Sequence, residues 1–269
     1  MKTTFKNCGR WPVADDRMKN TPRRQIRNPQ SAIRNCSAFT IIELLVVIAI
    51  MGVLAGLIFP VVGAVKRRQY INHAQAEMAQ LETAIERYKA AYGFYPPSPT
   101  NQPTVGDPGS YVSYVSYVNQ LYYELVGTTN DGTYYRTLDG NAQIAASDIP
   151  AAFPGVGGFV NCSKPGGGEE SSAAKSFLPE LRSNQKGTFQ IHGSSGNNIW
   201  VTNLVTSVGG PDATYVPMGQ QDLNPWRYNS SNPTNNPGSY DLWVQLHIAG
   251  KTNLICNWTK QVQINNPAP

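Results

Sequence analysis

The order of apolar and polar positions divides the chain into three unlike stretches. From Leu44 to Val65, 22 consecutive residues carry no charge. A helix of that length is apolar on every side and long enough to cross a hydrocarbon core, which takes about 20 helical residues. From 66 to 92 the pattern changes. Ile71, Ala74, Met78, Leu81, Ile85, Tyr88 and Tyr92 recur at alternating steps of three and four, while Gln75, Glu82, Glu86 and Lys89 stand opposite. This predicts a continuing amphipathic helix whose narrow seam packs on the chain's own core. Gly93-Phe94-Tyr95-Pro96-Pro97 ends it, because Gly can cap a helix and Pro cannot extend one. A single helix from Phe39 to Tyr92 would measure roughly 80 Å.

Beyond residue 93 the periodicity shortens. Residues 115–126 have helical spacing and stop at Gly127, whereas 188–192, 199–204, 240–248 and 253–258 read as strands rich in β-branched and aromatic residues. The run 240–248 alternates, with Tyr240, Leu242, Val244, Leu246 and Ile248 on one face and Asp241, Trp243, Gln245 and His247 on the other. That suits an antiparallel sheet with one face on the long helix. The stretch 224–239, rich in Asn and Pro, is expected as an exposed loop. The predicted fold class is therefore α+β. A leader (1–38) precedes a long N-terminal helix, membrane-spanning in its first half (39–65) and amphipathic in its second (66–92), packed on a small antiparallel β-sheet head (93–269) with loop insertions.

Composition narrows this picture further. The 24 Gly and 20 Pro of 269 residues argue against a helical bundle, and 14 Tyr, 8 Phe and 5 Trp supply a core. Neither a Gly triplet nor a chain-long heptad is present. The net charge of +5 is unevenly placed: residues 1–38 hold nine Lys or Arg against Asp15 and Asp16, which leaves the remainder at −2. Removal of the leader would remove the basic character, so no nucleic-acid partner is expected. Met18 offers a second start that would give a shorter leader. A secretory signal peptide cut after Ala64 fits less well, since the apolar run exceeds the usual 7–15 residues of such signals.

Within the apolar run, Glu43 stands at the edge, where a carboxylate is costly unless it gains a partner, and such a residue is functional by default. Gly52 and Gly56 form a Gly-x-x-x-Gly pair that allows close helix approach in lipid. Pro60 removes a backbone donor and weakens the helix locally.

The segment Ala38-Phe-Thr-Ile-Ile-Glu-Leu-Leu-Val-Val-Ile-Ala-Ile50 resembles the N-terminus of type IV pilins and of the pseudopilins of type II secretion systems. The resemblance implies a pilin-like fold and cleavage between Ala38 and Phe39 by a prepilin peptidase. It also implies N-methylation of Phe39, and assembly in which the Phe39 ammonium meets a neighbour's Glu43. The family usually has Gly where Ala38 stands. Pro60 falls where the family's helix melts or stretches on assembly. The implied partners are copies of the chain, other pseudopilins, an inner-membrane assembly platform and membrane lipid. The implied location is the cytoplasmic membrane, single-pass, with the N-terminus inside and the head outside, then a filament.

The tail adds a second likeness. Pro225-Trp226, Tyr228, Pro237-Gly238, Asp241-Leu242 and Asn257-Trp258 follow the order found in the major pseudopilin of type II secretion. That subfamily holds calcium through acids after the Asp-hydrophobe strand. Here Ile248 to Leu254 contains no Asp, so no calcium or other cofactor is expected, although Asp222 and Asp241 are candidates for a different site.

Cys162 and Cys256 form either one disulfide or two buried thiols in the mature chain. His73, His192 and His247 lack acidic neighbours at catalytic spacing, and no enzyme chemistry is expected. Two other readings stay open. One is a pilin for adhesion or DNA uptake, and the other is a membrane-anchored module gripping carbohydrate with Trp200, Trp226 and Trp243.

Overall fold

The computed structural model describes residues 39–100, 117–163, 173–192 and 198–265, with the backbone alone at 58–62 and 192. The chain divides into two units, 1–53 and 54–269, whose boundary falls inside helix α1, Ile41–Tyr92. In the described part of the first unit every side chain is exposed. Among the described residues no helix is long and apolar enough to cross a membrane. Of the uncharged run that extends in sequence from Leu44 to Val65, side chains are described at 44–57 and 63–65.

In the second unit, α1 presents the expected seam. Ala74, Leu81, Ile85 and Tyr88 are buried, Ile71, Met78 and Tyr92 pack against the same core, and Ala84 joins them. The helix ends where the Gly-Pro signal placed its end: Gly93 adopts a φ of 84° and its N–H donates to the Lys89 carbonyl at 2.7 Å.

Among the described residues the head carries short α2 (Leu121–Val126) and α3 (Ile149–Ala152) and ten strands. These strands are β1 (Thr128–Asn130), β2 (Tyr134–Thr137), β3 (Gln143–Ala145), β4 (Cys162–Ser163) and β5 (Lys186–His192), followed by β6 (Asn198–Leu204), β7 (Arg227–Asn229), β8 (Asp241–Ile248), β9 (Lys251–Cys256) and β10 (Thr259–Ile264). They form one sheet in the order β3-β2-β1-β4, a second in the order β10-β9-β8-β7, and the hairpin β5-β6. All described pairings are antiparallel except β1 with β4. The described residues of the head therefore form three sheets, where the sequence suggested one.

Several expectations need correction. Helix α2 covers only the end of 115–126, because the Asn119 side chain accepts the Leu121 N–H at 3.2 Å and donates to the Trp226 carbonyl at 2.8 Å. Residues 115 and 116 lie outside the described residues. In β8 both faces are buried from Asp241 to Val244, so the alternation does not mark a solvent face there. The first part of 224–239 is not exposed loop: residues 224–228 are buried, Arg227–Asn229 form β7, and only the stretch beyond is largely exposed.

Two turns show how local residues fix the topology. The Asn130-Asp131-Gly132 turn closes β1 on β2, with the Asp131 carboxylate accepting the N–H groups of Thr133 and Tyr134 at 2.9 and 2.8 Å. The two-residue turn between β8 and β9 has positive φ at both Ala249 (52°) and Gly250 (72°). A mirror-type turn suits Gly there and costs Ala strain. The Asp212 carboxylate holds it by accepting both turn N–H groups, at 2.9 and 2.8 Å.

The core joins the α1 seam to Leu121 and Leu125 of α2 and to Leu242, Val244 and Leu246 of β8. Truncating a fully buried side chain in such a cluster costs about 3 kcal/mol, the transfer loss plus the cavity. Ile85→Ala is therefore expected to lower the thermal midpoint of the full chain by about 10 °C. Glu86→Ala, on the exposed face of the same turn, should leave it within about 2 °C. Circular dichroism melts of the two variants side by side check the assignment of the seam.

Candidate functional site

The N-terminal tip is built by a capping box that the sequence reading did not identify. The Thr40 hydroxyl accepts the Glu43 N–H at 3.2 Å, and a Glu43 carboxylate oxygen accepts both the Thr40 N–H and the Thr40 hydroxyl at 2.9 Å. Thr40-Ile-Ile-Glu43 is the S/T-x-x-E signature of a helix start, legible once the helix is placed. Glu43 thus fixes the first turn of α1 in the single chain. Its second oxygen accepts no described hydrogen bond.

Around Thr40 and Glu43 the described surface of 39–57 is otherwise uncharged and mostly apolar. Phe39 is 74% exposed, and Ile42, Val46 and Val47 share its side with Glu43 along a shallow groove of about 330 Å³. A contiguous apolar surface of this kind on an isolated chain marks a face that lipid or protein covers. At Gly52 and at Gly56 an added Cβ would meet nothing within 4 Å, so neither glycine is required by packing inside the chain. That leaves both helix surfaces open to close approach. Residue 60 lies within α1 as a backbone position, its side chain being outside the described residues, as is all of Ala38.

The second half of α1 is fastened to the head by buried polar contacts. Glu124 of α2 is fully buried, and its carboxylate accepts three hydrogen bonds, from the Tyr88 hydroxyl (2.9 Å), the Val160 N–H (2.9 Å) and the Asn161 N–H (3.0 Å). Asn161 extends the network: its Oδ1 accepts from the Tyr92 hydroxyl and the Lys175 N–H, both at 2.8 Å, and its Nδ2 donates to the carbonyls of Glu124 and Lys175. Burial raises the Glu124 pKa, opposed by the backbone N–H groups of Asn161 and Val160 and by Tyr88, while burial also raises the tyrosine hydroxyls of Tyr88 and Tyr92.

A second buried acid, Glu77, accepts from the Thr206 hydroxyl (2.8 Å) and from the N–H and hydroxyl of Ser207. His73, read in the sequence as lacking an acidic neighbour at catalytic spacing, sits 3.0 Å from the Ser207 hydroxyl and 3.5 Å from Glu77, one turn on along α1. Arg67 reaches Asn253 Oδ1 at 2.8 Å. None of these contacts was read from the sequence. The one available signal was Glu124 standing alone in Leu-Tyr-Tyr-Glu-Leu-Val, an acid in an otherwise apolar turn.

The remaining candidates are distributed across the head. Cys162 lies on β4 and Cys256 on β9, strands of different sheets, and no disulfide joins them. Asp241 is buried and its oxygens accept the N–H groups of Thr234, Asn235 and Asn236 at 2.8–2.9 Å, so it caps a loop of its own chain. Asp222 stands apart with a positive φ, and among the described residues no group of three or more His, Cys, Asp or Glu side chains is placed to hold a metal. The three tryptophans make no platform: Trp200 is 57% exposed, but Trp226 is 1% and Trp243 7%, both absorbed into packing. The Tyr215 and His247 rings stack 3.9 Å apart, and burial lowers the His247 pKa.

Residues 33–59 match the prokaryotic N-terminal methylation motif, the leader signature of type IV pilins and pseudopilins. The motif implies processing by a prepilin peptidase, and a protein that is membrane-anchored and then assembled into pilin-type filaments. No curated protein and no solved structure matches the chain.

The Glu124 network yields two expectations. Glu124→Ala, which leaves the Val160 and Asn161 N–H groups and the Tyr88 hydroxyl without this acceptor, should cost about 3 kcal/mol, and Tyr88→Phe about 1.5 kcal/mol. Because the folded pKa of Glu124 is raised, the folded chain holds that proton more tightly than the unfolded chain does. The resulting stabilisation is full below the ordinary value of 4.5 and is lost as pH rises through the higher folded value. Thermal midpoints measured across this window should therefore fall with pH in the wild type relative to Glu124→Gln, whose difference curve lacks the step. A wild type and a Gln variant that track each other would contradict the assignment.

Proposed function

We propose that the chain is a structural subunit of a type II secretion pseudopilus or a related type IV pilus-like filament. In this reading it is inserted in the cytoplasmic membrane by residues 39–65, cut between Ala38 and Phe39, and methylated on Phe39. It polymerises through α1, and the filament moves proteins across the outer membrane. The observation that carries the reading is the methylation motif at 33–59 joined to a helix whose described side chains from 41 to 57 are all exposed and, Glu43 apart, uncharged. Such a surface is unstable in water and suits two successive environments, lipid before assembly and neighbouring helices after it.

Glu43 links the two environments. Alone, its carboxylate is occupied by Thr40 on one oxygen. In a helical stack the ammonium of an incoming Phe39 supplies a cation for the other, and two groups costly in lipid become neutralised together. Gly52 and Gly56 let the stacked helices approach, and Pro60 gives the helix a place to yield. The order of Pro-Trp, Tyr, Pro-Gly, Asp-Leu and Asn-Trp near the C-terminus favours the secretion version over an adhesive or DNA-uptake pilus, as does a mature charge of −2.

Intact mass of the membrane-extracted protein, expressed with a prepilin peptidase, tests the reading. The expected product begins at Phe39 and carries one added methyl. Glu43→Ala should be cut in the same way yet lose most of its filament yield. A product that keeps residues 1–38, or one starting after Ala64, would rule the reading out.

A further inference from the structure

The uncharged run of α1 ends at Val65, which is 58% exposed, and Lys66-Arg67-Arg68 follows at once. The three cations do not behave alike. Arg67 turns onto the head, donating to Asn253 Oδ1 through Nη2 at 2.8 Å and Nε at 3.3 Å, whereas Lys66 and Arg68 are exposed. The Arg67 contact fixes where β9 lies. Asn253 stands level with Arg67, and Ile255, two residues on, lines a cleft with Gln75 and Met78. Strand β9 therefore runs along the helix away from the apolar run, and its first residue, Lys251, lies at the opposite end, towards Val65. Lys251 and the turn residues Ala249 and Gly250 before it are exposed.

The lower rim of the head is thus lined by Lys66, Arg68 and Lys251. None of the three is in an ion pair among the described residues. Asp212 accepts the N–H groups of Ala249 and Gly250 and keeps its negative charge at the turn, so the rim sets three cations against this one anion, while Glu77, further along α1, is turned onto Thr206 and Ser207. An exposed cationic rim beside the end of an uncharged helix is complementary to one surface in particular, a layer of anionic lipid headgroups.

We infer that Lys66, Arg68 and Lys251 form a phospholipid-binding rim that seats the head on an anionic bilayer before assembly, with the β8–β9 turn at the headgroup level. The inference rests on the membrane-anchored reading of α1. Release from this rim is a step that extraction of the subunit into a filament must include, so the charge density of the leaflet sets part of the resistance to assembly. Arg67 contributes by holding β9 against the helix, which keeps Lys251 in the same plane as Lys66 and Arg68.

The test uses the full chain reconstituted in nanodiscs of phosphatidylcholine alone or of phosphatidylcholine mixed with phosphatidylglycerol, read by hydrogen exchange. The amides of residues 249–253 are expected to exchange about tenfold more slowly on the anionic bilayer. High salt should abolish the difference, and so should the triple variant Lys66→Gln, Arg68→Gln, Lys251→Gln. Exchange within β5 and β6 serves as the folding control and should be the same in all samples. Equal protection on both lipids, or lipid-dependent protection that survives the triple variant, would overturn the rim. Lipid-independent exchange together with lost filaments in the triple variant would assign the same residues to a neighbouring subunit and also overturn it. A chain that fails to enter either nanodisc would overturn the anchor reading itself, and the rim with it.

Discussion

The structure of the head depends on one buried carboxylate. Glu124 belongs to a helix of only six residues, too short to hold itself together, and it lies where water cannot reach it. What makes the position tenable is complete hydrogen bonding: a hydroxyl from α1 and two backbone N–H groups from the segment leading into β4 converge on the two oxygens. The same three donors thereby fix α2, α1 and the 160–161 loop relative to one another. Asn161 repeats the arrangement one shell out, so that Tyr88 and Tyr92, one turn apart on α1, engage the same cluster. Apolar packing along the seam supplies most of the attraction, and the polar network decides the register in which the helix is gripped.

Glu77 and Arg67 continue the series down the helix, meeting Thr206 and Ser207 and then Asn253. The contacts fall on different strands and loops, so α1 acts as the ruler against which the sheet β10-β9-β8-β7, the β5-β6 hairpin and α2 are set. A force applied along α1 is therefore transmitted to the head at several levels.

Much of this was legible in the sequence, and the failures have physical causes. The seam from Ile71 to Tyr92, the stop at Gly93, and β5, β6, β8 and β9 follow from burial periodicity, which a single chain displays directly. Strands β1, β3 and β4 are two or three residues long and include polar Thr-Thr-Asn and Cys-Ser, so they carry no period. They exist because backbone groups distant in sequence pair with them, as when the Thr128 N–H finds the Asn161 carbonyl. Strand β7 was hidden in a stretch whose Asn and Pro content suggests a loop, although Trp226, Arg227 and Tyr228 are buried. At the site, the expectations for the cleavage position, Glu43 and the glycine pair rest on local sequence alone, of which the methylation motif at 33–59 is matched. The capping role of Glu43 and the clamps at Glu77 and Glu124 depend on partners that only the fold brings near.

Residues 39–57, exposed in the single chain, are the assembly surface we propose. Electron cryo-microscopy of filaments sheared from cells that express the chain with its prepilin peptidase tests it most directly. The expected result is a helical polymer with residues 39–57 packed in its core, the Phe39 amine of one subunit beside Glu43 of the next, and the heads outside. A polymer held together by the heads with that segment at its surface, or no polymer from correctly processed chains, would contradict it.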